Sequence, residues 1–176
     1  MSTTTSRSHG RGRRRLLRLA AFVVAPLAAI TALAAPAHAD GPLCGNARDP
    51  GGHNVCMWID ALGDDIYRVH VGIDVHMSVQ DAQAIIDGSG GNPFVTKIFG
   101  ADPFFDNAEF NLGLVVIGAS QEAGLSADFE RIVPKSWLNE DPGPGDRDEL
   151  FARVVLNDPR GGSRSFRTPE WRQQFG

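Results

Sequence analysis

Residues 66–77 alternate without a break: Tyr67, Val69, Val71, Ile73, Val75 and Met77 interleave with Arg68, His70, Gly72, Asp74 and His76. A period of two over this length predicts a strand with one buried and one polar face, and so an antiparallel sheet whose outer side meets water. Phe110, Leu112, Leu114 and Val116 repeat the pattern, as do Leu125, Ala127 and Phe129. The Gly/Ser/Gln-rich stretch between these two runs predicts a hairpin. Shorter strands are expected over residues 56–59, with Trp58 as a core anchor, and over 94–99, 150–156 and 164–167. Residues 40–54 are rich in Gly, Pro, Asn and Asp and read as a loop.

Only one helix is expected. Ser78-Val79-Gln80-Asp81 resembles a capping box with Asp in place of Glu, opening a helix that runs through Ile86. Gly88-Ser89-Gly90-Gly91 stops it. No internal repeat, heptad pattern or alternation of long helices with strands occurs. Six to eight short strands with one brief helix predict a mainly β fold, a small antiparallel β-sandwich of immunoglobulin-like size.

The first ~39 residues break with this pattern. Arg7, Arg11, Arg13, Arg14, Arg15 and Arg18 precede an apolar run over residues 19–35, and Ala37-His38-Ala39 follows. Basic, apolar and A-x-A segments in that order read as a cleavable signal peptide over residues 1–39. The apolar run is at the short end of what spans a bilayer and contains Pro26. The Arg13-Arg14-Arg15-Leu16-Leu17-Arg18 stretch also resembles a twin-arginine signal, with Gly12 where Ser or Thr is usual. Export by the Sec or the twin-arginine route leaves residues 40–176 as a single secreted, β-rich domain, expected to be a monomer with no membrane anchor. Arg, Ala and Pro usage suits a bacterial source.

Removing the signal changes the charge. The whole chain carries −4, but all six arginines of the signal are basic and it contains no acid, so 11 basic and 21 acidic residues remain and the secreted part carries −10. So acidic a body repels phosphate backbones and anionic membranes. Nucleic acid is therefore an unexpected partner, and an extracellular ligand or protein with positive charge, or a divalent metal, is a natural one. Secretion also bears on the cysteines. Cys44 and Cys56 are the only pair, and in an oxidising compartment so close a pair predicts a disulfide.

Two clusters could hold a metal. His70, Asp74 and His76 lie on the polar face of the long strand, where residues two apart stand ~7 Å from each other, so Asp74 and His76 could reach one transition metal. A solvated outer face explains the same residues, and a further strong ligand from a neighbouring strand is required. Asn139, Glu140, Asp141, Asp146, Asp148 and Glu149 crowd oxygen ligands into one Gly/Pro-rich loop, a candidate calcium site without EF-hand spacing. Asp64, Asp65, Asp102 and Asp106 would add to it if their loops lay at the same end. A charged, soluble turn that guards a sheet edge is the plainer account.

Nucleophilic catalysis finds little support. Gly118-Ala119-Ser120-Gln121-Glu122 and Gly124-Leu125-Ser126-Ala127-Asp128 lack the final glycine of a nucleophile elbow, and no His-Glu-x-x-His occurs. The function expected is therefore a secreted, non-catalytic binding or structural protein, with calcium as a candidate stabiliser. The alternatives are a secreted metal-dependent enzyme built on His70, Asp74 and His76, and a secreted protein-binding inhibitor or toxin-like factor.

Overall fold

In a computed structural model, the described residues are 42–47, 52–101, 106–140 and 147–176. The expected signal segment over residues 1–39, together with Asp102, Asp141 and Asp146, lies outside them. Among the described residues, nine strands, one α-helix and one 3-10 turn follow in order: β1 (Leu43–Ala47), β2 (His53–Gly63), β3 (Ile66–Val75), α1 (Val79–Gly88), β4 (Phe94–Ala101), β5 (Asp106–Ser120), β6 (Gly124–Pro134), the turn Lys135–Trp137, β7 (Asp148–Asn157), β8 (Ser163–Arg167) and β9 (Trp171–Gln173). The predicted mainly β, antiparallel class is what forms.

The alternation in β3 becomes burial. Val69, Val71, Ile73 and Val75 are at most 3% exposed, while Arg68, His70, Gly72 and Asp74 on the other face are partly covered. β2 and β6 flank β3 with matching periodicity, placing Val55, Met57, Ile59, Leu125, Ala127 and Phe129 in the same core. The β2–β3 hairpin turns through Asp64 and Asp65, at φ 51° and 59°. Two successive left-handed residues make the turn whose twist matches the flanking strands, a role Asp tolerates. Asp64 and Asp65 thus have a local task in the hairpin.

The strand order is β1-β2-β3-β6-β5-β4-β7-β8, with β9 alongside β7. The two leaves of the predicted sandwich are therefore one continuous path, joined through β5. The first part of β5 pairs with β4, from Asp106 opposite Ala101 to Leu112 opposite Thr96. The second part pairs with β6, from Gly113 opposite Glu130 to Ser120 opposite Gly124. Irregularities in register at Ile98/Phe99 and at Leu114/Val116 sit beside that exchange of partners, and such bulges bend a strand and raise its twist. The ends of the path curl towards each other. His53 on β2 meets Phe166 on β8 with ring centroids 4.8 Å apart. A Cβ on Gly45 of β1 would stand 3.4 Å from the Arg167 carbonyl oxygen.

One expectation changes here. Residues 43–47 pair as β1 with β2, with Cys44 directly opposite Cys56, where the sequence read a loop. The predicted Cys44–Cys56 disulfide is present and fastens this short edge strand. α1 starts as predicted, with the Ser78 hydroxyl accepting from the Asp81 N–H at 3.0 Å and donating to its carboxylate at 2.6 Å. It buries Ala82 and Ile85 and ends at Gly88. No helix among the described residues is long and apolar enough to cross a membrane.

Candidate functional site

Register decides which side chains meet on the outer face of β2, β3 and β6. Beside Arg68 stand Asp60 and Ile132, beside His70 stand Trp58 and Glu130, beside Gly72 stand Cys56 and Asp128, and beside Asp74 stand Asn54 and Ser126.

The row through His70 is filled. Its ring stacks on Trp58, with centroids 3.9 Å apart and planes 19° from parallel. One ring nitrogen, Nε2, lies 3.3 Å from Asp128 Oδ1, and Nδ1 lies 3.9 Å from Glu130 Oε2. The Arg68 guanidinium stands 3.2 Å from the same Glu130 carboxylate. The next row is open, because Gly72 contributes no side chain. A groove of about 280 Å³ results, floored by Gly72, walled by Trp58 and Cys56 on one side and by Val116 of β5 on the other. Asn54, Asp74, Ser126 and Asp128 supply its polar atoms. The glycine keeps the space: a Cβ there would sit 3.1 Å from Asp128 Oδ1 and 3.9 Å from the Trp58 ring.

The groove is electronegative. Asp74, Asp128 and Glu130 face Arg68 and His70 across a few strand positions, and Arg68 and His70 are both directed at Glu130 or Asp128. Asp74 has no hydrogen-bond or ion-pair partner among the described residues. Burial raises its carboxyl above the ordinary carboxylate range and the nearby Asp128 adds to the rise, while His76 opposes it. A carboxylate so placed is stabilised by any cation or strong donor that reaches it.

His70 and Asp74 thus share one face, but His76 lies beyond the end of β3 and lines a different cavity. Among the described residues no group of three or more His, Cys, Asp or Glu side chains is gathered to hold a metal ion. The structure does not bring His70, Asp74 and His76 together as one ligand set.

The acidic loop shows its described members at work on the backbone. Asp148, 1% exposed, accepts the Glu140 N–H at 2.8 Å through Oδ1 and the Phe175 N–H at 2.9 Å through Oδ2. Glu140 Oε1 accepts the Glu149 N–H at 3.1 Å, and its carboxylate fills the space above Gly100. Glu149 lies 4.0 Å from Arg172. Of these four residues, Asn139 alone offers an oxygen that is buried without a hydrogen-bond partner. Asp106 pairs with Arg153 at 3.1 Å on a separate face.

Sequence reasoning missed Trp58, Gly72, Asp128 and Glu130 as members of the site. Trp58 is not a core anchor: it lies on the outer face, half-buried, because Val55, Met57 and Ile59 take the inward parity of β2. That parity was readable, and it would have put Asn54, Cys56 and Trp58 outside. The strand that supplies Asp128 and Glu130 was readable too, but its pairing with β3 was not. The chain matches no protein-family model, no curated protein and no solved structure.

Proposed function

We propose that this is an extracellular binding protein that seats the cationic group of a ligand in the groove above Gly72. The observation that carries the reading is Asp74, a half-buried carboxylate without a partner among the described residues, set in a groove between an indole and an aliphatic wall. An ammonium or guanidinium on a short apolar stem satisfies both parts. Its charge meets Asp74 and Asp128, and its methylenes lie against Trp58 and Val116. The groove is at the small end of the usual range for ligand pockets, about 300–1,000 Å³, so it suits one such group. The Cys44–Cys56 disulfide and the export pattern of the first ~39 residues support an extracellular setting. The charge of −10 left after that segment is consistent with a cationic partner.

The test is a titration with n-butylamine and n-butylguanidine, with n-butanol as the neutral control, read at the indole N–H resonances. The Trp58 signal should move with both cations, at the ~mM affinity usual for so small a fragment, and stay fixed with butanol. Asp74→Asn and Gly72→Val should each abolish the shift. A Trp58 signal that ignores both cations, or follows butanol equally, overturns the reading.

A further inference from the structure

The groove above Gly72 opens onto the outer face of β2, β3, β6 and the second half of β5, and that face extends well past the groove. Three of the six large apolar side chains exposed among the described residues stand on it or at its rim: Val115 at 63%, Val116 at 53% and Ile132 at 54%. Val116 is opposite Asp128, and Val115 is the extra residue of the β5 bulge beside it. Ile132 lies four residues along β6 from Asp128, opposite Arg68. Four strand residues cover ~13 Å. The ground around the valines is low. Gly113 stands opposite Glu130 and Gly118 opposite Ser126, so the β5 positions on either side of the valines raise no side chain.

The same face is negative. Asp60, Asp74, Asp128 and Glu130 share it with Arg68 and His70. Four carboxylates against one arginine leave −3 on this face with the carboxyls ionised and His70 neutral. Arg68 and His70 are directed at Glu130 and Asp128, and Asp74 is left for a cation from outside. Exposed aliphatic side chains beside an acidic notch make a larger surface than a small amine covers, and patches of this kind mark contacts with other polypeptides.

We propose that the cation seated above Gly72 is a lysine or arginine side chain of a protein partner, whose aliphatic side chains cover Ile132 and the corner at Val115 and Val116; this deepens the reading of the groove given above and rests on it. In an extended segment, side chains four positions apart point the same way and lie ~13 Å from each other. That is the spacing from the groove to Ile132, so a basic residue with an aliphatic one four positions away meets both.

The probes are the peptides acetyl-Lys-Ala-Ser-Ala-Leu-amide and acetyl-Leu-Ala-Ser-Ala-Lys-amide, the same two with Ser in place of Leu or Gln in place of Lys, and n-butylamine. Each is titrated into the full chain and read at the Trp58 indole N–H. At least one Leu peptide should bind about ten-fold more tightly than its Ser counterpart, and the Gln peptides should leave the signal in place. Ile132→Ser, a change at an exposed position, should abolish the advantage of Leu over Ser and leave the response to n-butylamine as in the parent. If n-butylamine moves the Trp58 signal but Leu and Ser peptides bind alike, the cationic groove stands and the polypeptide partner is overturned. If n-butylamine leaves the signal still, the reading of the groove falls and takes this one with it. A parent chain that sediments as a dimer and becomes a monomer on Ile132→Ser would assign the face to a second copy, which also overturns the proposal.

Discussion

Asp74 shows what a single residue can reveal about a surface. A group kept for stability is usually paired when it is half-buried, and this one has no partner among the described residues. Its raised pKa means the folded state holds its proton more tightly than the unfolded state does. Where both states are protonated, below the ordinary carboxyl pKa of 3.8, it contributes nothing against folding. As pH rises through 3.8, ionisation weakens the fold until the folded-state pKa is passed. Asp74→Asn removes that penalty. Urea melts should show the variant equal to the parent at about pH 3 and more stable at about pH 7. The gain should be under ~1 kcal/mol, because solvent screens a group this exposed. A variant less stable than the parent at about pH 7 would mean that Asp74 has a structural partner. His70 and Asp74 were readable as neighbours on one face from period-two alternation alone. The groove was not, since it depends on which residues of β2 and β6 stand beside Gly72. Carboxylates are too frequent in this chain for any one pair to be singled out without the register.

At the scale of elements, the strongest local signals in the sequence were the long alternating strand and the helix start. Ser78 caps α1 although Asp81 replaces the usual Glu, because the shorter carboxylate still reaches the Ser78 hydroxyl. Ser78→Ala leaves the Asp81 N–H without its acceptor and should lower the stability by about 1 kcal/mol, read as a shifted denaturant midpoint at unchanged slope. Bonds from Ser78 and then Arg160 hold the Asp81 carboxyl below the ordinary range, so this helix start is tied to the β7–β8 hairpin as well. β1 escaped sequence reading for a physical reason. Leu43-Cys44-Gly45-Asn46-Ala47 has no strand propensity of its own and is held in place by its pairing and disulfide with β2. β9, three residues long, is defined by its partner β7 in the same way. Elements with internal periodicity were legible, and those made by their neighbours were not.

For the domain as a whole, the mainly β class followed from strand number and spacing, but the continuity of the sheet did not. The bulges that bend β5 leave no mark in the pattern of hydrophobic positions, since they arise where the strand changes partners. That exchange has a consequence for how the protein comes apart. β5 gives its first half to β4 and its second half to β6, so loss of either neighbour leaves half of a fifteen-residue strand unpaired. Neither leaf can melt and leave the other intact. Amides of β5 bonded to β4 and those bonded to β6 should then exchange with solvent through the same global opening, with the same free energy and the same denaturant dependence. Two distinct opening energies along β5 would show that the leaves unfold separately. A single one would make this strand the fuse of the domain: the place where local damage to either leaf becomes failure of both.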